Sequence, residues 1–310
     1  MGSRAVSLLR EIAGGLRDRA RRSDVMVVAA ALTCYAAFGL VPLLAIGTRV
    51  AAGVYGSSRV VGAAQFLARY VPGALHLDRS VVAFARSASG APWWTALLAL
   101  LPVSLYAEGT VRSLERFSRA PERRSRAIRG RTLTPVLVVL AMLAVVLTAG
   151  PLRPLLDDPF GRGLGARLLG VFVAFNLLFF LLFPTLLLVY RLFASTPLRR
   201  GPLVAGAFVS ASWISGQLLG YLIALRHVGG FDRAFGHYAP AGEVAAFAFL
   251  VYLENLVFLL GYLLALVLHE RPPRSGRADR PRDDRGRQRD ERKTATRVGR
   301  TADQEQPARE

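Results

Sequence analysis

Lysine, cysteine and histidine are scarce in this chain. The one lysine is Lys293 and the one cysteine is Cys34, so an intramolecular disulfide is excluded. The four histidines lack the spacing of an HExxH motif, and no CxxC occurs. His227 and His237 share one loop, which is a weak metal signal. We therefore expect no metal site and no cofactor.

Motifs for nucleotide binding and hydrolysis are missing as well. The chain contains no Walker A sequence, no G-x-G-x-x-G fingerprint and no G-x-S-x-G elbow. These absences argue against an ATP-driven pump and against a nucleotide-dependent or serine-dependent enzyme. We expect a protein that is not an enzyme.

The chain consists mainly of long apolar runs separated by arginine-rich segments. Apolar residues make up 53% of the sequence, although its formal charge is +19. A basic soluble nucleic-acid-binding protein spreads its charge over a folded surface. An inner-membrane protein instead confines arginine to its inside loops. The pattern predicts an all-α, polytopic membrane protein that does not bind nucleic acid.

Six apolar segments are long enough to cross a bilayer, which takes about 20 residues. They predict a six-helix transmembrane bundle with spans at about 25–50, 92–111, 133–150, 165–194, 202–225 and 243–269. The first run is too long for the apolar region of a signal peptide, so we expect it to remain as the first span. Pro42, Pro102 and Pro184 interrupt spans and predict bends.

The arginines predict the orientation of these spans. Residues 1–24, 111–131 and 191–201 contain 17 arginines in 56 residues, whereas the alternating loops contain 8 in 71; these loops are 52–91, 151–164 and 226–242. The positive-inside rule then places both termini in the cytoplasm of a bacterium, with the protein in the plasma membrane.

Two segments outside the spans have the pattern of amphipathic interfacial helices. In residues 1–24, apolar residues recur at helical spacing among arginines, which is typical of a helix on an anionic leaflet; they are Val6, Leu9, Ala13 and Leu16. The outer helical loop 52–91 contains a second such pattern, in Val60, Ala64, Leu67 and Val71. We expect membrane lipids as partners, with anionic headgroups at the cytoplasmic face.

The C-terminal segment has the composition of a disordered tail. Residues 270–310 carry 13 basic and nine acidic residues and almost no large apolar side chains. Such a segment cannot bury a core. Its net charge is only +4, so most of the basic charge belongs to the rest of the chain.

Polar side chains near the middle of a bilayer are usually paired or functional. Glu254 lies eleven residues into the sixth span, or about 16 Å deep. Asn176, Tyr35, Gln217 and Asn255 complete a candidate mid-membrane polar site. Three interpretations are open: an uncharged Glu254 hydrogen-bonded to an amide, a site for protons, cations or a substrate headgroup, and a role in helix registration.

Charged residues near the ends of spans have simpler explanations. Arg49 and Arg167 lie near outer ends, where they can reach lipid headgroups or contact an anionic molecule. Glu108 and Arg112 lie near the cytoplasmic end of the second span and predict an ion pair between residues i and i+4.

The fifth span contains small residues at four-residue spacing. Ser212, Gly216 and Gly220 form this repeat, which lets helices approach closely in lipid. We expect helix packing within the bundle, with a homo-oligomer as the alternative.

Two stretches of the chain carry a family pattern. Residues 24–44 contain an alanine-rich run, a tyrosine and Pro-Leu-Leu, here Ala29–Ala31, Tyr35 and Pro42–Leu44. Residues 197–224 contain a basic loop, a Gly-Ala pair, a tryptophan and a tyrosine, here Arg199, Arg200, Gly206, Ala207, Trp213 and Tyr221. In these features the chain resembles the YihY/BrkB family of inner-membrane proteins. It is similar to a divergent, actinobacterial-type branch, because the family's Gly-Ala-Glu near the end of the last span is Gly261-Tyr262-Leu263 here.

The resemblance implies a helical inner-membrane bundle without an established biochemical activity. The family was once labelled a ribonuclease, but this sequence offers no carboxylate or histidine constellation for that chemistry. Transport of lipid is a family-level conjecture. We therefore expect a secondary transporter or exporter of a lipid or amphipathic molecule. The alternative is a non-transporting scaffold that binds anionic lipids or partner proteins.

Overall fold

All regular secondary structure in the described residues is helical. The computed structural model describes residues 2–68, 77–118, 134, 135, 138, 164–193, 197–227, 236 and 239–271. The helices are α1 (Gly2–Arg22), α2 (Val25–Tyr55), α3 (Ser57–Ala68), α4 (Leu77–Gly90), α5 (Trp93–Phe117), α6 (Leu164–Phe193), α7 (Arg200–His227) and α8 (Ala239–Glu270). Helices satisfy their own backbone hydrogen bonds, which a bilayer requires of any spanning segment.

Five of the described helices are long and apolar enough to cross a membrane. The qualifying segments are Val25–Tyr55, Trp93–Phe117, Leu168–Phe193, Arg200–Tyr221 and Val244–Glu270. They coincide with the first, second, fourth, fifth and sixth predicted spans. The predicted third span, at 133–150, lies outside the described residues except for positions 134, 135 and 138. The predicted tail also lies outside them beyond residue 271.

The helices are joined by short connections with defined backbone geometry. Asp24, between α1 and α2, has a φ of 48°, a left-handed conformation that aspartate tolerates better than most residues. Gly56 ends α2 with a φ of 86°, and its amide donates to the carbonyl of Ala52 at 2.9 Å. Pro42 lies inside the continuous helix α2, and Pro102 and Pro184 lie inside α5 and α6.

The core of the bundle is built around α8. Helix α8 packs against α2 on one side and against α7 on another, while α2 also packs against α5 and α7 against α6. The largest fully buried side chains in this core are Tyr190 of α6 and Tyr262 of α8, whose ring centroids lie 5.6 Å apart.

One end of the bundle gathers α1 and the carboxyl ends of α5, α6 and α8. Arg19 of α1 donates to the carbonyl of Phe117 at 3.2 Å and forms an ion pair with Glu270. Ser118, after α5, is hydrogen-bonded to the hydroxyl of Tyr262 at 2.7 Å. Helices α5 and α6 therefore run in the same direction, toward this end. We call it the arginine end.

The second half of helix α1 packs against the rest of the bundle. Leu16 and Ala20 pack against the main core, whereas Val6 and Leu9, predicted on the same apolar face, are exposed. At the opposite end of the bundle, Val60 and Ala64 of α3 are buried, while Arg59 and Gln65 are exposed. Val71 lies outside the described residues.

The exterior of the spanning helices is apolar. Large exposed side chains occur along α5, α6 and α7, including Leu97, Leu101, Phe172, Phe180 and Trp213. Trp93 and Trp94 lie exposed at the start of α5, where tryptophan commonly marks a membrane interface. Such an apolar surface is suited to lipid and not to water.

Candidate functional site

An open cleft between α2 and α5 is the clearest candidate for a binding site. Its volume is about 420 Å³, and it is lined by Val27, Val28, Ala31, Tyr35, Leu105, Glu108, Gly109, Arg112, Ser113 and Arg116. The apolar lining residues come from both helices. The two arginines come from the last two turns of α5, so the positive charge is concentrated toward the arginine end.

Close packing of a tyrosine on a glycine forms the inner wall of this cleft. A Cβ built on Gly109 would lie 2.9 Å from Cδ2 of Tyr35, so any larger residue at position 109 would displace the ring. About one turn away, later in α2 and earlier in α5, a Cβ on Gly39 would lie 2.9 Å from the Cβ of Tyr106. Glycine at both positions lets α2 and α5 approach closely while leaving the cleft open beside them.

Both arginines of the cleft have an acidic partner, one inside the cleft and one outside its lining. Arg112 Nη2 donates to Glu108 Oε1, which is the predicted i to i+4 pair. Arg116 lies 3.9 Å from the carboxylate of Asp24. The side chains of Arg112 and Arg116 are 72% and 58% exposed, so both guanidinium groups are accessible from the cleft.

A second polar group links three helices within the bundle. The amide of Asn255 accepts a hydrogen bond from the hydroxyl of Tyr106 and donates one to Thr33 Oγ1, each at 3.3 Å. Thr33 in turn donates to the carbonyl of Ala29. Asn255 is therefore fully engaged in joining α8 to α2 and α5.

Glu254 has a different environment from Asn255. It lies seven and eleven residues before Gly261 and Ala265, so it shares the face of α8 that packs against α7. Both carboxylate oxygens are buried and lack a hydrogen-bond partner among the described residues, as do Ser215 Oγ and Gln217 Nε2 on α7. The pairing of Gly206 with Gly261 and of Ser210 with Val257 places these α7 groups at about the level of Glu254.

The predicted mid-membrane site is only partly brought together. Asn176 donates to the carbonyl of Phe172 in its own helix at 2.8 Å. Tyr35 lies in the α2–α5 cleft, and Asn255 belongs to the link with Thr33 and Tyr106. Within the described part of the chain, no hydrogen bond joins Glu254 to any of the other predicted site residues.

Of the two predicted outer anion contacts, the structure describes the side chain of Arg49 and not that of Arg167. Arg49 donates to the carbonyl of Ser89 at 3.3 Å, and its guanidinium carbon lies 4.5 Å from the ring centroid of Trp93. It thus places a positive charge at the carboxyl end of α4, where a helix favours one. Arg167 is part of α6, and its side chain lies outside the described residues. Anion contact at either position remains a prediction.

The closest helix crossing uses different glycines from those predicted. A Cβ on Gly206 would lie 2.5 Å from the carbonyl oxygen of Gly261, and a Cβ on Gly261 would clash with Ser210 Oγ. At Gly216 the nearest atom is 3.8 Å away, on Phe175 of α6, and at Gly220 none of the described residues comes within 4 Å. Ser212 is half-buried.

Sequence reasoning missed the polar groups that depend on neighbouring helices. Besides Thr33 and Tyr106, these include Tyr190, whose hydroxyl donates to the carbonyl of Phe258 and lies 3.1 Å from Ser210 Oγ. Every one of these residues lies inside a predicted span. Scoring hydroxyl side chains together with amides and carboxylates within the spans would have found them.

The described residues contain no group of three or more His, Cys, Asp or Glu side chains placed to hold a metal ion. An all-helical chain with several bilayer-length helices and an apolar exterior is a multi-pass membrane protein. The sequence profile described as Virulence factor BrkB matches residues 16–286, and the chain belongs to this family, as its two motifs predicted. No curated protein and no solved structure matches the chain.

Proposed function

We propose that this protein is a transporter or exporter of a lipid or another amphipathic molecule, and that the α2–α5 cleft is its binding site. The observation that carries the proposal is the composition of the cleft, which combines apolar walls with arginines toward one end. An amphipathic molecule has the same division between apolar and polar parts. We propose no catalytic role, because the sequence lacks nucleotide-binding and hydrolase motifs.

The course of the chain supports a sixth span. Helices α5 and α6 both run toward the arginine end, as the contacts of Phe117, Ser118 and Tyr190 indicate. We propose that the chain between them crosses back to the opposite end. The apolar run 133–150 is the segment with the length and composition to do so in a bilayer.

The same arrangement supports the proposed orientation. The arginine-rich segments 1–24, 111–131 and 191–201 all adjoin helix ends at the arginine end. We propose that this end is cytoplasmic, in the bacterial plasma membrane, and that α1 lies at the surface of the inner leaflet with Val6 and Leu9 in contact with lipid.

Lipid transfer in reconstituted vesicles tests the proposed site. Ala31 is exposed and lines the cleft, so Ala31→Trp should fill it. Ala37→Trp is the matched control, because Ala37 is exposed on the same helix but is not part of the cleft lining. The assay uses a fluorescent phospholipid and a quencher that cannot cross the bilayer. Ala31→Trp should slow transfer by about fivefold or more, because the indole would occupy space that the lipid needs; fivefold corresponds to about 1 kcal/mol.

Two results would contradict the proposal. The first is that wild-type protein transfers lipid no faster than protein-free vesicles do. The second is that the two tryptophan variants transfer it equally fast, which would place the site elsewhere. A scaffold without transport activity gives the first result.

A further inference from the structure

The polar end of the α2–α5 cleft has the chemistry of a phosphate site. Arg112, Ser113 and Arg116 all lie within two helical turns on α5, and all three line the cleft. Guanidinium groups form paired hydrogen bonds with phosphate oxygens, so the two arginines supply the donors, whereas Ser113 Oγ already donates to the carbonyl of Gly109 at 2.8 Å. Glu108, one turn deeper, is the one carboxylate in the lining.

The present partners of the two arginines are easily exchanged. Glu108 and Arg112 form an exposed pair on one helix, and Arg116 is 3.9 Å from an exposed carboxylate on Asp24. Exposed pairs of this kind contribute about 0–1 kcal/mol. A phosphate that contacts both arginines forms more charge-assisted hydrogen bonds than the two carboxylates do together.

The depth of the arginines matches a lipid headgroup. Arg116 is the penultimate residue of α5, and Arg112 lies about 7.5 Å from the end of the helix, at 1.5 Å per residue. The lining residues Tyr35, Leu105 and Gly109 extend the cleft from the arginines toward the middle of the bilayer. A small soluble phosphate would leave these apolar walls without a partner, whereas an acyl chain would cover them.

We infer that the cleft binds an anionic phospholipid of the leaflet at the arginine end, with its phosphate on Arg112 and Arg116 and an acyl chain along α2. The inference rests on the proposed function and specifies the class of molecule. Glu108 competes with the headgroup for Arg112. Removing that carboxylate therefore strengthens lipid binding, although it also removes an ion pair.

Lipid retention by the purified protein tests this assignment. Native mass spectrometry compares phosphatidylglycerol with phosphatidylcholine added to the full-length protein in detergent. Arg112→Gln combined with Arg116→Gln should reduce retention of phosphatidylglycerol about tenfold and retention of phosphatidylcholine by less, because choline offsets the charge of its phosphate. Arg79→Gln combined with Arg86→Gln is the control, because both arginines are exposed on α4, away from the cleft. Glu108→Gln should raise retention of phosphatidylglycerol.

Competition separates a lipid from a free phosphate. Inorganic phosphate and glycerol 3-phosphate should not displace phosphatidylglycerol at equal concentration, and displacement would overturn the assignment to a lipid. Equal loss in the α4 control, or reduced retention in Glu108→Gln, would overturn the site itself. If the wild-type protein transports phosphatidylcholine as fast as phosphatidylglycerol, and the double variant transports phosphatidylglycerol as fast as the wild type, this inference is refuted and the proposed function is not. Arginine-dependent binding without any transfer would support the site and refute transport.

Discussion

At the scale of single residues, Glu254 and Asn255 illustrate how one step along a helix changes a side chain's role. Successive residues of an α-helix point about 100° apart. Asn255 consequently faces Thr33 and Tyr106 and forms hydrogen bonds to both, whereas Glu254 lies on the face toward α7 with unpaired oxygens among the described residues. Buried polar atoms without hydrogen-bond partners are uncommon in native proteins. Because both oxygens of Glu254 lack a partner among the described residues, Glu254 stays a candidate for a functional role.

The glycines of α7 and α8 allow a direct test of helix packing. Gly261→Ala should lower the free energy of unfolding by about 1–3 kcal/mol, because the new methyl group would clash with Ser210 and the backbone of Gly206. Gly220→Ala should be neutral or slightly stabilising, because the described residues leave space there and alanine favours helix. Thermal unfolding of both variants in the same detergent measures the difference. A larger loss for Gly220→Ala would instead assign the close crossing to the Gly216–Gly220 motif.

At the scale of elements, α1 is attached to the bundle mainly at its second half. Gly15 lies against Val267 of α8, Leu16 packs against the core, and Arg19 contacts both α5 and α8. Since Val6 and Leu9 in the first half of α1 are exposed, we expect docking to depend on the contacts near Arg19. This arrangement connects the helix that precedes the first span to the ends of two later spans.

Arg19→Gln should therefore weaken the docking of α1 without unfolding the spans. The variant loses a charge-assisted hydrogen bond to Phe117 and the ion pair with Glu270. We expect amide hydrogen exchange in α1 to rise about tenfold, which corresponds to about 1.4 kcal/mol. Arg17→Gln, exposed on the same helix, is the matched control. Equal exchange in the two variants would show that apolar contacts alone hold α1.

At the scale of the whole molecule, parallel α5 and α6 constrain the topology. Two helices that are successive among the described elements and run in the same direction need a crossing segment between them. The arginine distribution and the direction of the helices are independent observations, and both fit six spans. Large apolar side chains are exposed on α5, α6 and α7, so all three helices are suited to the same lipid environment.

Thiol labelling in intact cells tests the proposed orientation. In a Cys34→Ser background, Ser58→Cys on the exposed face of α3 should react with a maleimide that cannot cross the membrane. Arg10→Cys, exposed on α1, should react only after the cells are permeabilised. The opposite pattern would reverse the orientation, and labelling of both positions in intact cells would rule out six spans with α1 inside.

Much of this architecture can be predicted from the sequence, because the bilayer core offers no water to hydrogen-bond an exposed backbone. Each run of about 20 apolar residues must be a helix there, and five such runs coincide with helices α2, α5, α6, α7 and α8. The family is also readable, because its motifs at Tyr35 and Trp213 are local in sequence. Hydropathy is less informative about which face of a helix meets which neighbour, because the spans are apolar on nearly all sides.

The helical class, the membrane environment and the family follow from the sequence, since all three depend on composition and local pattern. Which polar groups meet depends on how the helices pack. This packing placed Tyr35 beside the arginines of α5, paired Asn255 with Thr33 and Tyr106, and made Gly206 and Gly261 the closest crossing. The reason is physical: such contacts join residues far apart in the chain, and only the packing and rotation of whole helices bring them within hydrogen-bonding or van der Waals distance.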